Sequence, residues 1–127
     1  MAKAQRIQDV VDDVRAELGL PREVTVAIVP QNPLMVSVES PKNYDGAYQV
    51  AFEDAFVDAL SDDDLRAVVA HELGHVWIFT HHPYLQTEAL ANEIAMRVVS
   101  RESLEKVYDK IWGRGAKRGT LARFSIH

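Results

Sequence analysis

The chain has 127 residues, 47% of them apolar and 26% charged, with five histidines, no cysteine and a net charge of −5. That length suits one domain with a single modest core. Without cysteine a disulfide framework or thiolate metal site is excluded, so any metal must be held by His, Asp or Glu.

The charge is unevenly spread. Residues 105–127 carry six Lys/Arg against two acids, a net +4, which leaves −9 on residues 1–104. An acidic body argues against nucleic acid as the main partner. The opening MAKAQRIQDVVDDV is charged and helical in period, unlike a secretory signal, and no apolar run reaches membrane-spanning length. The expectation is a cytoplasmic protein with no membrane partner.

In chain order, Ile7, Val10, Val11, Val14 and Leu18 mark an amphipathic helix over 2–18, ended by Gly19 and Pro21. REVTVAIVP reads as a β-branched strand stopped by Pro30, and LMVSVES as a second strand closed by Pro41. KNYDG is turn chemistry around Asp45-Gly46, and AYQVAFED is a third strand. Two tight connections favour partly antiparallel pairing, with a mixed sheet as the variant.

After residue 54 only helices are expected. AFVDAL forms a turn or two. Ser61 and the three aspartates after it make a strong start for a helix over about 62–80, with Asp64 at the capping-box position and Pro83 at its end. Two more helices are expected at about 86–100 and 101–112. GRGAKRG then leads into a flexible basic tail over 113–127. A helix, three strands and then helices define an α+β domain.

The chemistry concentrates in VVAHELGHV, where His71, Glu72 and His75 have the spacing H-E-x-x-H. Residues four apart on a helix lie about 40° apart around the axis and about 6 Å along it, so both imidazoles reach one ion. Glu72 leans toward a water on that ion and serves as general base, zinc having lowered the pKa of the water to about 7. Apolar residues on both sides of the motif suit a buried helix. Gly74 weakens that helix by about 1 kcal/mol against alanine, a cost that close approach of another element would explain.

Two histidines need a third ligand. His81 follows His75 at the metzincin distance, but Ile78 stands where that family has the glycine that turns the chain. An unbroken helix would carry His81 about 9 Å along the axis from His75, and His82 is no better placed. Glu88 shares a helix face with Ala91, Asn92 and Ala95, whose small residues allow close approach. An amide at Asn92 could accept the free ring N–H of a ligating histidine. Glu93 pairs instead with Arg97 at i, i+4 on the solvent side. Glu88 is therefore the expected third ligand.

HELGH followed by EALANEIA resembles the gluzincin arrangement H-E-x-x-H … E-x-x-A-[DN]-x-x-A over residues 61–100. It is particularly similar to the ImmA/IrrE-type metallopeptidases and the single-domain minigluzincins. The resemblance implies a minimal zincin-like fold over residues 1–127: N-terminal helix, three-stranded sheet, active-site helix, glutamate helix and C-terminal helix. It also implies one zinc ion on His71, His75 and Glu88, with Glu72 as base and acid, Asn92 behind the ligands, and a peptide or protein substrate. His82, Tyr84 and Tyr48 are the candidates for oxyanion or substrate contacts, with His81 and Tyr44 behind them. GAYQVAF is the candidate edge strand for binding extended substrate. The alternative is a latent or non-catalytic zinc protein whose own C-terminal segment blocks the cleft, with His127 offering a ligand.

Overall fold

The computed structural model describes residues 2–41 and 46–113. Helix α1 (Ala2–Leu18) forms because Ile7, Val11, Val14 and Leu18 fall in one stripe, and all four are buried. It ends at Gly19, whose φ of +67° needs a residue without a Cβ. The Gly19 amide donates to the Ala16 carbonyl at 3.1 Å and the Leu20 amide to that of Arg15 at 3.1 Å, which satisfies the last carbonyls of the helix.

The three expected strands are present as β1 (Val24–Val29), β2 (Val36–Glu39) and β3 (Tyr48–Glu53). Their order is β1-β3-β2, with β3 parallel to β1 and antiparallel to β2. The sheet is therefore mixed, and β1 and β2 lie on either side of the strand that follows them both. Asn32 secures the link between them. Its side-chain amide donates to Ala51 of β3 at 3.1 Å and to Ser37 of β2 at 3.2 Å, while its oxygen accepts from the Leu34 amide at 3.0 Å. GAYQVAF is consequently the central strand, not an edge, which corrects its expected role as substrate platform. The turn expected at KNYDG falls on residues 42–45, outside the described residues.

Helix α2 (Asp54–Asp58) is short, and α3 (Asp62–His81) follows. The capping box at its start is complete: Ser61 Oγ accepts from the Asp64 amide at 3.1 Å, and the Asp64 carboxylate accepts from the Ser61 amide at 3.1 Å. Arg66 of α3 reaches Asp13 at 2.6 Å and also Glu17, fastening α1 to it. α3 packs against α1, β2, α4 and α5, and so is covered on several sides. No helix among the described residues is long and apolar enough to cross a membrane.

The helix expected over about 86–100 is shorter. A single 3-10 turn (Pro83–Leu85) precedes α4 (Glu88–Ala95), and α5 (Arg101–Gly113) follows. Caps decide both limits. Thr87 Oγ1 accepts from the Leu90 amide at 3.0 Å and so fixes the start. After Ala95 the backbone tightens, with the Val98 and Val99 amides both on the Ala95 carbonyl, and Ser100 then caps α5 through the Ser103 amide at 3.1 Å. Arg97 thus lies beyond α4 and is no helical partner of Glu93. Its guanidinium sits 5.1 Å from the centre of the Trp77 ring.

Candidate metal centre

His71, Glu72 and His75 fall in mid-α3, where neighbouring elements bury even the polar positions: their exposures are 1%, 0% and 2%. The imidazole rings are one turn apart, with centroids 5.0 Å from each other and planes at 82°. Polar groups withdrawn from water in this way are costly unless matched, and each ring has a specific amide beside it.

His71 Nδ1 lies 2.7 Å from Asn92 Oδ1, and His75 Nδ1 lies 2.7 Å from Gln86 Oε1. An amide oxygen only accepts, so both rings carry a proton on Nδ1, which makes Nε2 the nitrogen of each that can serve as a ligand. For Gln86 the amide orientation is set independently, because its Nε2 donates to the His75 carbonyl at 3.0 Å. Two imidazoles with Nε2 as the ligating nitrogen, beside a buried carboxylate and with no thiol, form a donor set suited to zinc.

Helix α4 brings Asn92 to this position by approaching α3 very closely. A Cβ on Gly74 would stand 2.5 Å from the Ala91 carbonyl oxygen and 3.2 Å from its carbon, so only glycine permits this contact. The helix penalty of Gly74 therefore has its explanation in the approach of α4.

Glu88 is the first residue of α4, half-buried and one turn before Asn92, while Glu93 is exposed. Among the described residues no three His, Cys, Asp or Glu side chains are grouped closely enough to hold a metal. The histidine pair is thus formed, and Glu88 stands on the neighbouring helix rather than within a closed set.

The other candidates are more dispersed. α3 continues unbroken through buried Ile78, and at its exposed end His81 stacks on Trp77 with centroids 3.9 Å apart. His82 caps the helix end and is exposed, and Tyr84 is 98% exposed. Tyr48 is a core residue on the central strand, its ring 6.3 Å from Phe79 and beneath the Arg22 guanidinium. Tyr44 and the C-terminal segment with His127 lie outside the described residues. A hollow of about 290 Å³ is lined by Asn92, Met96, Arg101, Leu104 and Glu105.

Gln86 is the participant that sequence reasoning missed. It lies in a loop, eleven positions after His75, where neither helical spacing nor a motif connects the two.

A family model described as Peptidase family M48 matches residues 1–116 of the chain. Two solved structures are similar in fold. One is the metallopeptidase zymogen of Pyrococcus abyssi abylysin, at 19% identity and a TM-score of 0.60, covering 85% of this chain and 93% of that one. The other is the metallopeptidase zymogen of Methanocaldococcus jannaschii jannalysin, at 17% identity and a TM-score of 0.61, covering 87% and 97%. No curated protein matches the chain.

Proposed function

The chain belongs to peptidase family M48 and is a metallopeptidase, and from that premise we propose that it hydrolyses peptide bonds with one zinc ion held by His71, His75 and Glu88. The observation that carries the reading is the pair of amide tethers at 2.7 Å, which engage Nδ1 of both histidines and leave Nε2 of each as the ligating nitrogen. Zinc, when bound, supplies a Lewis acid that polarises the scissile carbonyl and acidifies water. Glu72, beside His71 on the same buried turn, takes the proton from the attacking water and returns it to the leaving amine. Asn92 and Gln86 keep the ligand rings oriented.

Glu88 is assigned as third ligand because it lies four residues before Asn92, on the face that meets α3. Its side chain has three rotatable bonds with which to close on an ion. β2, an edge strand packed against α3, is the platform for extended substrate in place of β3. Metal analysis tests the ligand set. Glu88→Ala should lower bound zinc from about one ion per chain to a small fraction, as expected when one of three protein ligands is removed, while Glu93→Ala leaves it unchanged. The reverse pattern would overturn the assignment.

The burial of His71, Glu72 and His75 favours a second reading, in which the enzyme is latent until its site opens. Both fold neighbours are described as zymogens, and a segment of this chain is the candidate plug, namely residues 114–127. If the open form is a minor state of 10% or less, removing those residues raises peptide cleavage by about tenfold or more. A truncated chain ending at Gly113 that folds, binds metal and cleaves no faster would eliminate this reading.

A further inference from the structure

We propose that Gln86 is a positioning residue that sets the tautomer of His75 and ties the loop before α4 to α3. The inference rests on the zinc reading above for its consequence, but the geometry behind it stands apart from any metal. The Gln86 amide touches His75 twice: Oε1 accepts from Nδ1–H at 2.7 Å, and Nε2 donates to the His75 carbonyl at 3.0 Å. The two contacts define each other. Turning the amide over would set its oxygen against the carbonyl oxygen, so the carbonyl contact fixes which end of the amide meets the ring, and Nδ1 is left to donate.

A side chain held at both ends in this way does what a single contact cannot. It fixes the ring tautomer and, through the carbonyl, ties the loop to the backbone of α3 at the same residue. The loop is prepared for this by the 3-10 turn Pro83–Leu85, in which the Leu85 amide donates to the His82 carbonyl at 2.9 Å. Tyr84 and Leu85 on that turn are left 98% and 54% exposed, while Gln86 turns inward and is half-buried. The next residue, Thr87, is the N-cap of α4, and Glu88 is its first residue. Gln86 therefore holds one proposed ligand directly and sits two positions before another. Asn92, the tether of His71, follows one turn later on the same helix. The two histidines are oriented from opposite ends of one short segment, residues 86–92.

The consequence is specific to the acceptor at Nδ1. Leucine in place of Gln86 retains bulk and loses both contacts. Glutamate retains the acceptor and loses the donor to the carbonyl. Nitrogen NMR of the histidine rings in the metal-free full-length chain reads the tautomer directly, and competition with a chromogenic chelator reads zinc affinity. In wild type, His75 is expected with its proton on Nδ1. In Gln86→Leu, His75 leaves that tautomer and zinc binds about 10–100-fold more weakly, the usual cost of losing the partner behind a ligand. In Gln86→Glu, the Nδ1–H tautomer and most of the affinity return, a rescue that a packing role would not produce.

An unchanged tautomer and unchanged affinity in Gln86→Leu would overturn the proposal, as would a Gln86→Glu variant no better than Gln86→Leu. If wild type binds no zinc yet the tautomer still changes in Gln86→Leu, the metal reading has failed and the role of Gln86 in orienting His75 stands.

Discussion

Glu72→Gln is expected to keep its zinc and lose peptide cleavage by about 10²- to 10⁴-fold, the range attributable to a positioned general base. That factor corresponds to about 3–6 kcal/mol of barrier at about 1.4 kcal/mol per decade. Glutamine preserves the volume of a side chain that is fully buried, so the helix has no cavity to fill and the histidine pair is undisturbed. What it removes is the ability to accept a proton and return it. Glu72 sits next to His71 and three residues before His75, on the stretch that carries the two proposed histidine ligands but outside the three-residue ligand set. The comparison requires both proteins in the same form, with or without residues 114–127, so that latency does not mask the difference. Zinc content by mass spectrometry and cleavage of a quenched fluorescent peptide make the measurement. Loss of metal in the variant would mean that Glu72 is a ligand, and undiminished cleavage would remove it from the mechanism.

The second large effect is expected from a methyl group. Gly74→Ala should gain about 1 kcal/mol of helix propensity, yet the added Cβ would stand 2.5 Å from the Ala91 carbonyl oxygen. Backbone cannot rotate aside as a side chain can, so α4 has to move away from α3. Overpacking of this kind costs about 1–3 kcal/mol and occasionally more, enough to outweigh the propensity gain. The residue after Ala91 is Asn92, so the displacement also stretches the 2.7 Å tether to His71. A lower melting temperature should therefore appear together with zinc binding weakened by about 10–100-fold. Because the obstacle is the Ala91 carbonyl, adding Ala91→Gly should not restore stability. A Gly74→Ala protein that melts higher than wild type would show that the helices separate freely and that glycine is not required.

Much of this architecture was legible in local sequence. A β-branched run, an alternating stretch and a turn signal marked the three strands in order, and Ser61 with Asp64 marked the start of α3 to the residue. Each is a signal carried by a few adjacent residues and enforced by backbone geometry. Longer-range features were not. Chain order suggested that the third strand lay at the edge, whereas β3 inserts between β1 and β2. Nothing within a strand states which neighbour it takes, and the Asn32 contacts that secure the link reach residues as far as nineteen positions away. The length of α4 was overread because EALANEIA and MRVVS share an apolar period. Thr87 and Ser100 end that run at both sides by offering the backbone better partners.

By itself the sequence singled out the proposed trio. The spacing of His71, Glu72 and His75 becomes a shared helix face through the 3.6-residue turn alone, and Gly74 already hinted at a close neighbour. Tertiary structure decided the rest: that Ala91 is the neighbour, that Asn92 reaches His71, that Gln86 grips His75 at two points, and that His71, Glu72 and His75 are all enclosed. Helical repeat sets distances only within a turn or two. Contacts across eleven or twenty-one residues depend on the angle and separation at which α4 meets α3, and those are set by how closely side chains allow two helices to pack.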